Sequence, residues 1–145
     1  MESNKDIALA RFGKGFNCAQ AVLSVFCEKY GMDMETALKT SCGLGAGMRS
    51  GEVCGAVSGA VLVVGLKHGH NIAEDKESKV NCYTRTEEFL NKFREKHNTI
   101  ICRDIIGLDI STEYGMKQAL DGKLFRTVCD NVVLSAVTIL EELGY

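Results

Sequence analysis

One apolar stretch indicates the fold class: Glu52-Val53-Cys54-Gly55-Ala56-Val57-Ser58-Gly59-Ala60-Val61-Leu62-Val63-Val64-Gly65-Leu66-Lys67-His68. It is apolar on nearly every side, which is typical of a helix buried in a protein interior. Its β-branched residues would also suit a strand, but its length and the helical periodicity around it favour a helix. We predict a central, buried helix here. This helix contains five small residues that would let a second helix approach closely: Gly55, Ala56, Ser58, Gly59 and Ala60.

Helical periodicity continues on both sides of this stretch. Asn17 and Asp33 are suited to cap helices, and Gly31 is suited to end one. Four glycines within 42–51 predict a loop, since each would weaken a regular helix. The other predicted helices are Ser3–Arg11, Asn17–Tyr30, Met34–Thr40, Ile72–Lys96 with a candidate break near Asn81, Thr99–Gly107, Ser111–Ala119 and Leu124–Leu143.

No run of alternating apolar and polar residues bounded by hairpin turns occurs in the sequence. The pattern therefore predicts an all-α fold, a helical bundle of about five to seven helices. The length of 145 residues, without a proline or a linker-like tract, predicts a single domain over residues 1–145.

Composition excludes several classes of partner. The net charge is −2 with both signs mixed along the chain, so there is no basic stripe for nucleic acid. The longest apolar stretch, 53–66, is too short to cross a bilayer, so we expect no membrane contact. Residues 1–6 are polar and resemble no signal peptide, and we expect a cytoplasmic protein.

Seven cysteines are the strongest compositional signal. Their number is odd and no secretion signal precedes them, which favours thiols, metal ligands or catalytic groups over a disulfide framework. Cys18, Cys54 and Cys102 each fall near a predicted helix start, where free amides and the helix dipole favour the thiolate. Cys129 is expected inside the last helix.

A free cysteine is often only a small buried hydrophobe, and we assign that role to Cys27 and Cys82. Cys42 receives the same assignment, although its place beside the glycine loop makes it the best candidate for a fifth member of a cysteine site. The sequence contains no CxxC, which counts against a zinc ribbon and against a thioredoxin-like dithiol, and it contains no CxxCH, so covalent haem is not predicted. Four cysteines on different helices can still converge, and four thiolates suit either zinc or an iron–sulfur cluster.

Other candidate groups receive structural interpretations. The glycine-rich segment 43–47 could cradle an anion, but it lacks a phosphate-loop signature, and a tight structural turn is the preferred interpretation. His68, His70 and His97 are expected at the surface. No catalytic triad, carboxylate pair or HExxH motif supports hydrolysis.

Three blocks and one late cysteine form a longer pattern. They are Gly15-Phe16-Asn17-Cys18-Ala19-Gln20-Ala21-Val22, Gly51-Glu52-Val53-Cys54-Gly55-Ala56-Val57-Ser58-Gly59-Ala60, Cys102-Arg103-Asp104-Ile105-Ile106-Gly107 and Cys129. This pattern resembles the C_GCAxxG_C_C family of redox-active proteins over nearly the whole chain. The resemblance implies a small helical protein whose characteristic cysteines are Cys18, Cys54, Cys102 and Cys129. A similar domain accompanies haem domains in split-Soret cytochromes, where it is associated with an iron–sulfur centre.

The leading hypothesis is an iron–sulfur cluster, with [2Fe–2S] as the expected type, held by these four cysteines and used to transfer or sense electrons together with an unidentified redox partner. The first alternative is a metal-free thiol–disulfide oxidoreductase with Cys18 or Cys54 as the attacking thiolate. The second alternative is structural zinc in a partner-binding protein. The small residues Gly55, Gly59 and Ala60 would pack within the chain or form a homodimer.

Overall fold

The structure, a computed structural model, describes residues 2–145 and is built from helices. The helices are α1 (Asn4–Gly13), α2 (Cys18–Ser24), α3 (Met34–Ser41), α4 (Gly55–His68), α5 (Lys76–His97), α6 (Cys102–Ile106), α7 (Glu113–Asp121), α8 (Leu124–Thr127) and α9 (Cys129–Glu142). Residues 2–145 contain no strand, only an isolated bridge between Val53 and Ile101. The all-α prediction is confirmed. Eight helices have five or more residues and α8 is a single turn, so the count slightly exceeds the predicted five to seven.

Helix α4 lies at the centre of the bundle, as the sequence predicted. It packs most extensively against α2 and also contacts α5 and α9. Its apolar residues join a single hydrophobic core that also contains the fully buried Phe89 and Phe93 of α5. Every α-helix contributes residues to this core or packs residues against it. Burial of α4 on several sides explains why its sequence is apolar all round.

The close contact between α2 and α4 depends on small residues. A side chain at Gly59 would place its Cβ 2.7 Å from the carbonyl oxygen of Ala19, which is too close for any substituent. A Cβ at Gly55 would lie 3.2 Å from the amide nitrogen of Ala19. The small-residue face of α4 is therefore occupied by α2 within the same chain. A homodimer stays a prediction, and it would need another surface.

The predicted helix over Asn17–Tyr30 was too long. Asn17 does cap α2, but this helix ends at Ser24, and a separate 3-10 turn follows at Glu28–Tyr30. The Ser24 hydroxyl donates to the carbonyl oxygen of Ala21 at 3.1 Å, so it takes up a carbonyl of the helix's last turn. Gly31 ends the 3-10 turn with a φ of 86°, as expected for a glycine in the left-handed region.

Two predictions for the long helix α5 were also wrong. It begins at Lys76 rather than Ile72, because the Asp75 side chain accepts a hydrogen bond from the Ser78 amide at 3.0 Å and fixes the cap there. It then continues without a break past Asn81 to His97. Among the helices that the structure describes, none is both long enough and apolar enough to span a membrane.

Candidate four-cysteine site

The four cysteines singled out from the sequence line one cavity of about 160 Å³. Their exposed fractions are 8% for Cys18, 4% for Cys54, 6% for Cys102 and 5% for Cys129, so all four sulfurs belong to the interior. Asn17 is the one other polar residue in the cavity wall. The remaining wall residues are apolar or glycine: Phe12, Ala46, Gly55, Ile105, Ile106, Phe125 and Val132. The cavity thus has thiols on part of its surface and hydrocarbon on most of the rest.

The other three cysteines do not line this cavity. Cys27 is buried elsewhere in the core, and its thiol donates to the carbonyl oxygen of Ser24 at 3.5 Å. Cys82 is half-buried on α5. Cys42 is exposed, and what it contributes to the site is its backbone carbonyl, which accepts a hydrogen bond from the Asn17 side chain at 2.8 Å. The candidate fifth cysteine therefore lies outside the cavity.

All four cavity cysteines stand at helix starts. Cys18, Cys102 and Cys129 are the first residues of α2, α6 and α9, and Cys54 is the cap residue of α4. Amide groups in a first helical turn have no partner within their helix, so they are free to donate to a nearby sulfur. Four helices of different length thus each place a cysteine of their N-terminal end at one cavity.

The position of Cys129 differs from the sequence prediction, which placed it inside one helix over Leu124–Leu143. The chain instead breaks at Val128, between the single turn α8 and the longer α9. Side chains compete for backbone carbonyls at this point. The Thr127 hydroxyl donates to the carbonyl oxygen of Lys123 at 3.3 Å, and the Asn131 side-chain amide donates to the carbonyl oxygen of Thr127 at 3.4 Å. Because the helix restarts there, Cys129 is the first residue of α9 and not a residue within one longer helix.

Asn17 fixes the orientation of Cys18. Its side-chain oxygen accepts from the Gln20 amide at 3.0 Å, and the Gln20 side chain accepts from the Asn17 amide at 2.9 Å, which forms a reciprocal capping box. The same Asn17 side chain donates to Cys42, as described above, and leaves no room for a Cβ at Gly45. One residue therefore connects the start of α2 to the glycine-rich segment over the cavity.

Cys54 and Cys102 are brought together by a short antiparallel pairing. The Cys54 amide donates to the carbonyl of Ile100 at 2.7 Å, and the Cys102 amide donates to the carbonyl of Glu52 at 2.6 Å. These bonds flank the bridge between Val53 and Ile101. Because side chains alternate across an extended backbone, both cysteines project to the face opposite Val53 and Ile101.

A left-handed turn lies between these elements. Ala46, Gly47, Met48 and Arg49 have φ values of 54°, 61°, 58° and 57°, and three of them are not glycine. Each non-glycine residue in this conformation costs roughly 1–2 kcal/mol. Glycine is required at 47, because an added Cβ would lie 2.5 Å from the Glu52 amide nitrogen and 2.8 Å from the Cys102 Cβ. The segment makes the tight turn predicted from its glycines, and it closes the cavity beside Cys102.

The electrostatics distinguish Cys18 from the other thiols. A hydrogen bond donated by the Cys129 thiol lowers the pKa of Cys18, and this effect outweighs the opposing effect of burial. Amide groups of Cys18, Ala46 and Ala56 lower the pKa further. Cys18 is therefore the one cavity thiol whose pKa is lowered, whereas the pKa values of the other three are raised.

The remaining thiols hold their protons. Burial raises the pKa of Cys54 to about 12, and a charge on Cys18 adds to this effect. Burial and the Cys18 charge also raise the pKa of Cys102, to about 11. The hydrogen bond to Cys18 raises the pKa of Cys129 well above its usual range. Ionising all four thiols together thus requires a bound cation that replaces their protons.

The four thiols line a cavity and are not grouped around one common position. Across residues 2–145, no set of three or more His, Cys, Asp or Glu side chains is arranged to hold one metal ion. The site as it stands can accept a group with the dimensions of the cavity, with one thiolate already favoured.

A family comparison bears on this arrangement. The model described as "Putative redox-active protein (C_GCAxxG_C_C)" matches residues 16–143, a span that includes all four cavity cysteines. The chain belongs to the C_GCAxxG_C_C family. The comparisons with curated proteins and with solved structures found no match. Membership in this family confirms the resemblance stated from the sequence and supports redox activity for the protein.

The C_GCAxxG_C_C match begins after α1, yet α1 supplies part of the site. Phe12 at its end lines the cavity, and the Arg126 guanidinium lies 5.5 Å from the centre of its ring. Arg126 also pairs with Asp130 at 3.4 Å, beside Cys129. Sequence reasoning missed Phe12 and Phe125 because an aromatic residue near a turn carries no signal of the cavity that it lines.

The histidines take no part in the site. His70 is exposed, as expected. The same expectation was wrong for His68 and His97, which are half-buried. His68 packs edge-on against Tyr145 at 5.6 Å between ring centres, and His97 shares a 2.8 Å hydrogen bond with Ser135. The last residue, Tyr145, packs on one ring, and Ser135 of α9 contacts the other, which local sequence does not indicate.

Proposed function

We propose that this C_GCAxxG_C_C protein holds an iron–sulfur cluster of the [2Fe–2S] type with Cys18, Cys54, Cys102 and Cys129, and uses it to transfer or sense electrons. The observation that supports this proposal best is the convergence of all four thiols on one cavity. The cluster would supply one-electron redox chemistry. An electron-transfer role implies a partner protein that gives or takes the electron.

The size of the cavity favours a cluster over zinc. A zinc site needs four ligand atoms around one point, with sulfurs about 2.3 Å from the metal. Here the thiols border a cavity of about 160 Å³, well above the roughly 10–15 Å³ of such volume that one water molecule needs. A polyatomic iron–sulfur core suits such a space better than one ion.

The surroundings of the sulfurs also suit a cluster. Cluster potentials depend on hydrogen bonds to sulfur and on exclusion of solvent. Backbone amides of Ala46 and Ala56 lower the pKa of Cys18, which favours negative charge on its sulfur. The apolar wall formed by residues such as Phe125 and Val132 limits water.

Thiol–disulfide exchange with a protein substrate receives less support. An attacking thiolate must reach the substrate's sulfur, and none of the four cysteines is more than 8% exposed. Cys54 is a weak candidate nucleophile, since its pKa is raised to about 12. Cys18 retains the electrostatic preference for thiolate but not the access.

The test is the iron, zinc and acid-labile sulfide content per chain, with a visible spectrum, on protein purified without oxygen. We expect iron with matching sulfide in the wild type and in Cys27→Ala, whose thiol is buried outside the cavity. Cys54→Ala should lose both. Colourless protein with stoichiometric zinc, or protein that contains and accepts no metal, would contradict the proposal.

A further inference from the structure

We infer that the outer face of α5 is the interface of a homodimer, in which the α5 helices of two copies pair antiparallel about a two-fold axis between Asn81 and Cys82. The small-residue face of α4 is occupied by α2 of the same chain, so this interface uses a different surface. The inference depends on the surface of α5 and not on the four-cysteine site. Its test is therefore independent of the proposed function.

The outer face of α5 exposes two large apolar side chains one turn apart. Val80 is 62% exposed and Tyr83 is 61% exposed. Phe89, which is fully buried, follows Val80 after nine residues, or about two and a half helical turns, so it lies on the opposite side of the helix. The helix thus packs into the core with one side and leaves Val80 and Tyr83 uncovered by residues 2–145.

Two charged residues extend this pair into a stripe. Lys76 lies four residues before Val80, and Glu87 lies four residues after Tyr83, a spacing that places all four on one face of the helix. Both charged side chains are exposed, and neither takes part in an ion pair within the described part of the chain. Lys76 and Glu87 are about 16 Å apart along the helix axis, too far to pair with each other.

The stripe is complementary to its own reversed copy. Val80 and Tyr83 are equally far from the point between Asn81 and Cys82, and so are Lys76 and Glu87. In a second α5 that runs antiparallel, Val80 of one copy therefore faces Tyr83 of the other, and Lys76 faces Glu87. Two-fold symmetry makes each of these contacts twice. A parallel pair would instead bring like charges together, which is unfavourable.

A groove beside the stripe gives the tyrosine ring of the second copy a place to pack. It runs along α5, and its walls include Glu77, Val80, Asn81 and Thr84. The helix has 22 residues and is about 33 Å long. A contact along one such helix is at the low end of interface size, so we expect a dimer that dissociates on dilution.

Sedimentation equilibrium of the full chain over a broad range of concentrations measures the association. We expect a monomer–dimer equilibrium in the wild type. Tyr83→Ala should weaken the dimer by roughly tenfold or more, because it removes two aromatic contacts per dimer. Tyr114→Ala is the matched control, since Tyr114 is an exposed tyrosine on α7, and this variant should associate like the wild type.

Charge reversal tests the antiparallel register. Lys76→Glu and Glu87→Lys should each weaken the dimer by roughly tenfold, because both ion pairs of the dimer become like-charge contacts. The double variant Lys76→Glu/Glu87→Lys should restore association, since it forms the same pairs with the signs exchanged. Lys117→Glu changes the net charge equally at an exposed position of α7 and should have little effect. Failure of the double variant to restore association would overturn the register.

The remaining outcomes also decide the matter. All of the changed side chains are exposed, so the variants should keep the fold, and circular dichroism checks this. A wild type that is monomeric at every concentration would overturn the inference and leave the stripe to a different protein. A dimer that Tyr83→Ala and Lys76→Glu both leave unchanged would overturn it as well, because another surface would then form the interface.

Discussion

The two halves of the cysteine site are built by different means. Cys18 and Cys54 stand on the crossing of α2 and α4, where Ala19 meets Gly55 and Gly59. Cys102 and Cys129 stand on the five-residue α6 and on the restart of the helix at Val128. The first half is fixed by contact between regular helices. The second half depends on irregular backbone, including the left-handed turn against Cys102, and a backbone pairing joins Cys102 to Cys54 of the first half.

The two halves of the site restrict the amino-acid sequence in different ways. In the α2–α4 half, the requirement is for small side chains, because helix surfaces touch. In the other half, the requirement is for unusual backbone angles and for backbone hydrogen bonds. Substitutions at glycines in the two halves should therefore fail for different reasons.

The largest effect is expected at Gly47. Gly47→Ala adds a Cβ at a φ of 61°, against the Glu52 backbone and Cys102. We expect a loss of about 3 kcal/mol in the free energy of unfolding, from backbone strain plus overpacking. Urea unfolding measures it. Gly43→Ala is the control, since its Cβ would meet open space, and a similar loss there would refute the role assigned to the left-handed turn.

The next effect tests the helix crossing. Gly59→Ala should reduce the free energy of unfolding by about 2 kcal/mol, because the new Cβ would push α4 away from Ala19. Gly65→Ala lies on the same helix with open space around its Cβ, and it should be neutral or stabilise by roughly 0.5–1 kcal/mol. Equal unfolding midpoints for the two variants would show that the crossing is not closely packed.

A stabilising substitution is expected at Met48 in the left-handed turn. Met48→Gly removes a non-glycine residue from the left-handed region, and the Met48 side chain is 59% exposed, so little packing is lost. We expect a gain of about 1 kcal/mol in the free energy of unfolding. The exposed Lys117 of α7 provides the opposite case: Lys117→Gly should cost nearly 1 kcal/mol. Loss of stability in Met48→Gly would contradict strain in this turn.

The smallest effect concerns the caps. Asn17→Ala and Asp33→Ala each remove a side-chain cap and should each cost about 1 kcal/mol in thermal or urea unfolding. Only Asn17→Ala should also change the alkylation rate of Cys18, because Asn17 fixes the start of α2 beside the cavity. Identical Cys18 rates in both variants would limit Asn17 to a structural role.

Most of the fold could be predicted from local signals. The caps Asn17 and Asp33 lie where the sequence placed them, and the predicted central helix over Glu52–His68 forms from Gly55 onward. Helix ends were less predictable, as at Ser24 and Asp75, because a single side-chain hydrogen bond decides them. The break at Val128 escaped prediction for the same reason.

The sequence by itself singled out the four cysteines of the candidate site and predicted that they would lie on or beside helices. Residue type, helical periodicity and cap positions are local properties, so one chain without any structure suffices to identify Cys18, Cys54 and Cys102 at helix starts. Only the tertiary structure places these thiols together with Cys129 around one mostly apolar cavity, in which the pKa is lowered at Cys18 and raised at the other three. Convergence depends on contacts between distant segments, such as Ala19 against Gly59 and Cys102 against Glu52, and these are set by the packing of the whole core.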